Sequence, residues 1–177
     1  MAALPPAISV RRVAAPEERV IAQLADVLVD CVAGGASVSF MHPLSRARAL
    51  AFWREAMAGA ATGERVLLVA EDEAGVCGTV QLILAMPENQ PHRADLAKML
   101  VHRRARRRGV GAALFRAAED AARASGKSLL VLDTASAEAE RLYERMGWQA
   151  VGVVPDYALL PQGGYCDTRF YFRRLPA

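Results

Sequence analysis

Residues 94–133 leave the chain few folds to choose from. They read as a strand (94–101), a basic turn, a helix (109–125) closed by Gly126, and a second strand (128–133). A strand–helix–strand unit of this length makes a right-handed crossover between parallel strands. The second strand contains the apolar run Leu129-Leu130-Val131-Leu132, as expected where a sheet is covered on both faces. The turn is His102-Arg103-Arg104-Ala105-Arg106-Arg107-Arg108, with Gly109-Val110-Gly111-Ala112 opening the helix.

The remaining segments wrap a mixed sheet around that unit. Residues 8–13 alternate as a strand, and residues 16–31 have helical spacing through Val20, Leu24, Val27, Leu28 and Cys31. Gly34-Gly35-Ala36-Ser37 ends that helix, and Ser45 caps a second over 45–60. Residues 65–70 and 76–84 form a hairpin about a turn at 71–75. Residues 87–91 are a loop, 135–146 a helix, and 148–154 and 168–172 the last strands. The two Pro and two Gly in 155–167 predict a surface loop between them. The order is β-α-α-β-β-β-α-β-α-β-β, an α/β fold with a mixed sheet and helices on both faces. The length of 177 residues suits a single domain over 1–177.

Composition bounds the function. With 53% hydrophobic residues and no apolar run long enough for a membrane span, a soluble cytoplasmic protein is expected. The start lacks the order of a secretory signal. Cys31, Cys77 and Cys166 lie too far apart for a disulfide framework or a Cys-x-x-Cys site. With three scattered histidines, no metal is expected.

The net charge is only +3, yet five arginines crowd residues 103–108. Such a cluster calls for a polyanion or is a solvated basic face. At the start of a helix, unpaired N–H groups and a partial positive charge favour phosphates. Glycines let a phosphate approach the backbone. The turn lacks the Gly-Lys-Ser/Thr of a Walker loop and the three-glycine spacing of a dinucleotide fingerprint. Without interleaved aromatics it suits nucleic acid poorly.

Arg106-x-x-Gly109-x-Gly111, then Ser136-x-x-Ala139-x-x-Leu142-Tyr143-x-x-Met146-Gly147-Trp148 after the next strand, resembles the GNAT acetyltransferase superfamily. Within it the chain is similar to the tabtoxin-resistance acetyltransferases from about residue 7 to 175. The matching segments include residues 34–41, Arg93-Ala94-Asp95, Lys98 to Val101, Leu132-Asp133-Thr134, Pro155-x-Tyr157 and Tyr171-Phe172. The resemblance implies a mostly antiparallel sheet of about seven strands with a central parallel pair that splays apart to admit acetyl-CoA, with no metal. It places the pyrophosphate on the amides of Arg107, Arg108, Gly109, Val110, Gly111 and Ala112 beside Arg106. The pantetheine would pair with the backbone of Leu100 and Val101. Ser136 stands where the family commonly has Asn, which puts one pantetheine contact in doubt. Arg103 replaces a usual proline, and Arg106-Arg107 a usual Arg-Gly.

Acetyl transfer to an amine needs a base, an oxyanion donor and an acid for the departing thiolate. The resemblance implies Tyr143 as the acid, although a core tyrosine explains the same residue. Asp133, ending its strand at the splay, is the first choice of base, with Asp95 as co-candidate. Either could instead bind the substrate's ammonium, and Asp133 could cap the next turn. Glu71, Glu88 and Asp156 are weaker choices. A backbone N–H near Leu100 is the expected oxyanion donor. No feature near a cysteine suggests a covalent acetyl-enzyme, so direct attack in a ternary complex is expected. The acceptor would meet Ser37, Phe40, Met41, Asp95, Asp133 and Tyr157. The expected function is N-acetylation of a small primary amine, amino-acid-like or toxin-like, by a monomer or homodimer that binds no nucleic acid and no membrane. Acetylation of a protein N-terminus or lysine, and a non-catalytic CoA- or nucleic-acid-binding module, are the alternatives.

Overall fold

The computed structural model describes residues 8–176. The elements are β1 (Ser9–Val13), α1 (Glu18–Ala33), α2 (Arg46–Ala61), β2 (Arg65–Asp72), β3 (Gly75–Ile83), β4 (Arg93–Val101), a short 3-10 turn (Arg103–Ala105), α3 (Val110–Ala124), β5 (Leu129–Thr134), α4 (Ala137–Arg145), β6 (Gln149–Leu159) and β7 (Tyr165–Arg174). One sheet runs in the order β1-β2-β3-β4-β5-β7-β6. All neighbours are antiparallel except β4 and β5, which are the expected parallel pair.

Local chemistry explains the helices. The apolar face read from residues 16–31 is buried in α1. Ser45 caps α2, accepting from the Arg48 N–H at 3.3 Å. Val110, Leu114, Ala118 and Ala122 recur four apart along α3 and are buried together. The helix closes at Gly126, whose φ of 71° is left-handed.

The sheet is covered on both faces. One core joins α3 and Tyr143 of α4 to Val66 and Leu68 of β2, Ala94 and Leu96 of β4, and Leu130 and Leu132 of β5. The other joins α1 and α2 to Leu67 and Val69 of β2 and Leu100 of β4. This two-sided burial accounts for the continuous apolar reading of the central strands.

The loop expected over 155–167 is instead most of a long hairpin. β6 continues to Leu159 and β7 begins at Tyr165. Three residues, Pro155, Asp156 and Tyr157, are opposed by Asp167 alone. Asp156 takes a φ of 52°, and its N–H donates to the Asp167 carboxylate at 3.1 Å. This bulge absorbs Pro155, and β6 is an edge strand, where a missing N–H costs no ladder bond. The hairpin tip folds back onto the segment between α1 and α2. His42 N–H donates to the Pro161 carbonyl at 2.9 Å, and Ser37 Oγ donates to the Leu159 carbonyl at 3.3 Å.

Candidate active site

The parallel pair is short. β4 and β5 pair only from Arg93–Leu129 to Asp95–Val131, although β4 continues to Val101 and β5 to Thr134. Beyond that point the strands diverge. The gap opens into a cleft of about 1720 Å³ that reaches from the turn before α3, past α4, to the segment between α1 and α2.

The basic turn lies at one end. Arg107 has a φ of 60° and Gly109 one of 79°, so two left-handed residues curl the backbone into the start of α3. A Cβ on Gly109 would meet nothing within 4 Å, so backbone conformation rather than crowding calls for glycine there. Arg106, Arg107, Gly109, Val110, Gly111 and Ala112 line the cleft. Arg108 does not. Its guanidinium turns to the Asp72 carboxylate at 2.9 Å, which Arg104 also binds at 2.7 Å. Arg103 is held by Asp30 at 2.8 Å. Of the five arginines, only Arg106 and Arg107 face the cleft. Of the three arginines expected at the anion site, Arg106 and Arg107 face the cleft, and Arg108 is drawn away by Asp72, an acid too distant in the chain to be matched to it from sequence.

Asp72 keeps only 4% of its side chain exposed. Burial pushes its pKa up, but hydrogen bonds from Arg104 and Arg108 outweigh this and hold it below the usual carboxylate range. A depressed carboxylate pKa adds stability that is present above the unfolded pKa and lost as pH falls through the folded one. Asp72→Asn should therefore destabilise the fold by about 2 kcal/mol at neutral pH. Thermal melts of the two proteins should begin to converge as pH falls below about 3.9, the unfolded value, and meet only once the depressed folded value is passed. An equal gap at every pH would show that the charge is not the cause.

The backbone of β4 presents its groups alternately. The His102 N–H donates to the Cys77 carbonyl of β3 at 2.9 Å, and Leu100 faces Thr79 across the same ladder. Leu100 therefore directs its peptide groups to β3 rather than into the gap, contrary to expectation, and those of Val101 face the gap. The Val101 carbonyl already accepts from Arg106 Nε at 3.4 Å and Cys31 Sγ at 3.5 Å. Cys31 lines the cleft, but burial, with the charge of Asp30, pushes its thiol up to about 11. It is protonated at neutral pH and a poor nucleophile.

Tyr143 projects from α4 into the cleft wall, 5% exposed. Its ring meets Phe115 at 5.1 Å and Tyr171 at 5.6 Å, edge to face. Burial above all, with the charge of Asp133, raises its phenol to about 12. The group is thus a proton donor throughout the working range. Ser136 lines the cleft, but its hydroxyl accepts from the Ala139 N–H at 3.3 Å and caps α4.

Asp133 and Asp95 both line the cleft. Asp95 is ion-paired with Arg93. Asp133 reaches solvent at the cleft mouth and caps no helix; Ser136 does that. Loss of water around Asp133 raises its pKa, Lys98 opposes the rise, and Asp95 adds to it. The acceptor-side expectations divide. Ser37 and Tyr157 line the cleft, while Phe40 and Met41 do not. Phe40 packs edge-on against Phe52 of α2 at 5.3 Å, and Met41 is 43% exposed. Val38 and Ser39 line the cleft in their place. Lys98, also in the wall, was missed. A lysine in step with the inward-facing Ala94 and Leu96 was the available sign.

Among the described residues no group of three or more His, Cys, Asp or Glu is placed to hold a metal, and no helix is long and apolar enough to cross a membrane. Residues 63–150 match the sequence profile of the acetyltransferase (GNAT) domain. The fold is similar to solved structures. One is a ribosomal-protein-alanine N-acetyltransferase from Brucella melitensis, with 20% identity, 94% of this chain and 99% of that one covered, and a TM-score of 0.81. Another is an N-acetyltransferase from Staphylococcus aureus Mu50, with 17% identity, 96% and 99% covered, and a TM-score of 0.78. A third is a phosphinothricin acetyltransferase from Sinorhizobium meliloti in complex with acetyl-CoA, with 19% identity, 95% and 88% covered, and a TM-score of 0.77. The domain match spans the basic turn, the parallel pair and α4, so residues 63–150 carry a GNAT acetyltransferase domain, and the chain is an acetyl-CoA-dependent N-acetyltransferase.

Proposed function

We propose that this enzyme acetylates a primary amine of a small molecule by direct attack on acetyl-CoA, both held in the cleft between β4 and β5. The observation that carries this reading is the end of β4–β5 pairing at Asp95–Val131, with Tyr143, Asp133 and the basic turn all lining the gap. The curled backbone from Arg107 to Ala112 and the guanidinium groups of Arg106 and Arg107 fit a pyrophosphate. Val101, not Leu100, offers its N–H to the pantetheine arm or to the thioester oxygen. The whole chain works as one domain in this reading, since every strand joins one sheet.

Asp133 takes the proton of the acceptor ammonium, directly or through a water, because its raised pKa suits a base better than an ordinary aspartate. The freed amine attacks the acetyl carbon, Tyr143 donates to the sulfur as the carbon–sulfur bond breaks, and the extra proton left on the acylated nitrogen passes through water to restore the phenol. The protonated Cys31 leaves no activated thiol on the route, which favours a ternary complex over an acetyl-cysteine. A small amine is supported by the resemblance to tabtoxin-resistance acetyltransferases and the likeness in fold to a phosphinothricin acetyltransferase. Nucleic acid is disfavoured because Arg103, Arg104 and Arg108 are taken by Asp30 and Asp72. The test is a screen of small amines with release of free CoA thiol as readout. Acetylation of at least one small amine well above thioester hydrolysis is expected. Turnover confined to peptides or protein N-termini would overturn the small-molecule reading.

A further inference from the structure

Strand β4 changes face once, and the change concerns a single lysine. Ala94 and Leu96 lie in the α3–α4 core, as do Leu130 and Leu132 of β5. Asp95 and Asp133, next to them in sequence, therefore point to the opposite face, where α1 and α2 pack. Strict alternation would send Lys98 after Ala94 and Leu96 into the apolar core. The register with β3 prevents this. Gln81 faces Ala97 and Thr79 faces Leu100, so Lys98 and Met99 together oppose Val80. Lys98 takes a φ of 51°, a left-handed conformation disfavoured for residues with a Cβ. Past this bulge, Met99 and Val101 pack on the α3–α4 core and Leu100 joins the other. One extra residue thus delivers Lys98 to the face that holds Asp95 and Asp133.

The lysine is fixed there from the α1–α2 side. Its Nζ donates to Ser39 Oγ at 3.1 Å and lies 5.8 Å from the Phe52 ring centroid. Ser39 itself is held left-handed at φ 76°. Among the described residues Lys98 forms no ion pair, and neither does Asp133, whereas Asp95 is taken by Arg93. The two free charges sense each other, since each moves the other's pKa toward its charged form against desolvation. They do not touch. Among the described residues, Lys98 and Asp133 are thus an unpaired cation and an unpaired anion on one face of the sheet, in a cleft whose other unpaired cations, Arg106, Arg107, Arg141 and Arg145, lie on the basic turn and α4.

We propose that Lys98 determines acceptor specificity by binding an anionic group of the acceptor, a carboxylate or another oxyanion, while Asp133 meets the amine of the same molecule. This rests on the reading that the cleft binds the acceptor. The enzyme selects amines that carry an anion within a few atoms and discriminates against the same amines without it.

The experiment compares the protein amino acids other than proline, aspartate and glutamate with their α-amides, and 2-aminoethylphosphonate with n-butylamine, by CoA thiol release. Wild type should favour the anionic member of accepted pairs by roughly 10- to 100-fold in kcat/KM, the range of a charge-assisted hydrogen bond. Preference for the amino acids over the phosphonate assigns the site to a carboxylate, and the reverse to another oxyanion. At a pH on the alkaline plateau of the profile, where Asp133 is ionised with or without the lysine, Lys98→Met should bring the ratio close to one by lowering only the anionic member, and Lys98→Arg should restore part of it. Acetyl-CoA affinity, read by calorimetry, should stay at the wild-type value in both variants. Equal use of both members by wild type, or an equal loss for both in Lys98→Met, would overturn the proposal, as would lost acetyl-CoA binding in that variant. Acetylation of n-butylamine or the amides alone would also overturn it and leave acetyl transfer standing. Acetyl-CoA binding with no amine acetylated would sink the acceptor reading and this one together.

Discussion

Tyr143→Phe should lower kcat by about 100-fold or more while leaving acetyl-CoA affinity unchanged, the scale of a lost general acid. The variant keeps the ring, so the edge contacts with Phe115 and Tyr171 persist and the fold should melt at the wild-type temperature. Only the phenolic donor goes. Because burial holds that phenol near 12, it carries its proton at every pH at which the enzyme is assayed. Because a thiol's ordinary pKa is about 8.5, full transfer from this phenol to a free thiolate is uphill, so its donation counts in the transition state, while the carbon–sulfur bond is breaking. Tyr143 should contribute no alkaline limb to the pH–rate profile below about 12. Steady-state kinetics on any acceptor found by the amine screen, with calorimetry for the cosubstrate, checks both parts. Unchanged turnover would make Tyr143 a core residue only.

Asp133→Asn should have an effect of similar size, about 100-fold on kcat/KM, and of a different shape. The folded pKa of Asp133 is raised, so the ionised base accumulates only as pH climbs past a point above the usual 3.9. In wild type, kcat/KM should rise with pH along that limb. In the Asn variant the limb should vanish, leaving only the ionisation of the acceptor amine. Asp95→Asn gives the sign check. Its charge helps to raise Asp133, so removing it should move the acid limb to lower pH. If the Asp133→Asn profile keeps its acid limb unshifted, water or another carboxylate is the base.

The contrast between these two aspartates could not be read from sequence. Both end or open a strand at the splay, and both were reasonable bases. The difference is Arg93, two residues from Asp95 and ion-paired with it, while Asp133 has no such partner among the described residues. Local pattern did carry the crossover, because the apolar run at 129–132 and the glycine stop at 126 report burial and backbone conformation directly. Tyr143 was singled out by the resemblance, since local pattern alone reads it equally as a core tyrosine.

Features that depend on distant partners were lost. Arg108 looked like its neighbours until Asp72, 36 residues earlier, claimed it. Pro155 and the glycines beyond it suggested a loop, and only the bulge opposite Asp167 makes them part of an edge hairpin. Phe40 and Met41 were assigned to the cleft from their position between α1 and α2, but the left-handed turn at Ser39 sends them out of it. Lys98 was the most informative residue overlooked. A lysine in step with core positions contradicts strand alternation, and the contradiction is resolved by a bulge.

In the proposed function, acetyl-CoA occupies the gap between β4 and β5 that the basic turn closes at one end. Calorimetric titration of acetyl-CoA into wild-type protein and into Arg106→Ala tests it most directly. Arg106 faces the cleft and its Nε reaches the Val101 carbonyl, which puts it where the proposed reading needs a phosphate contact. Wild type should bind acetyl-CoA at one site per chain in the micromolar range, and Arg106→Ala about tenfold more weakly, as for one charge-assisted contact. No binding by folded wild-type protein, or binding that Arg106→Ala leaves untouched, would contradict the site as described.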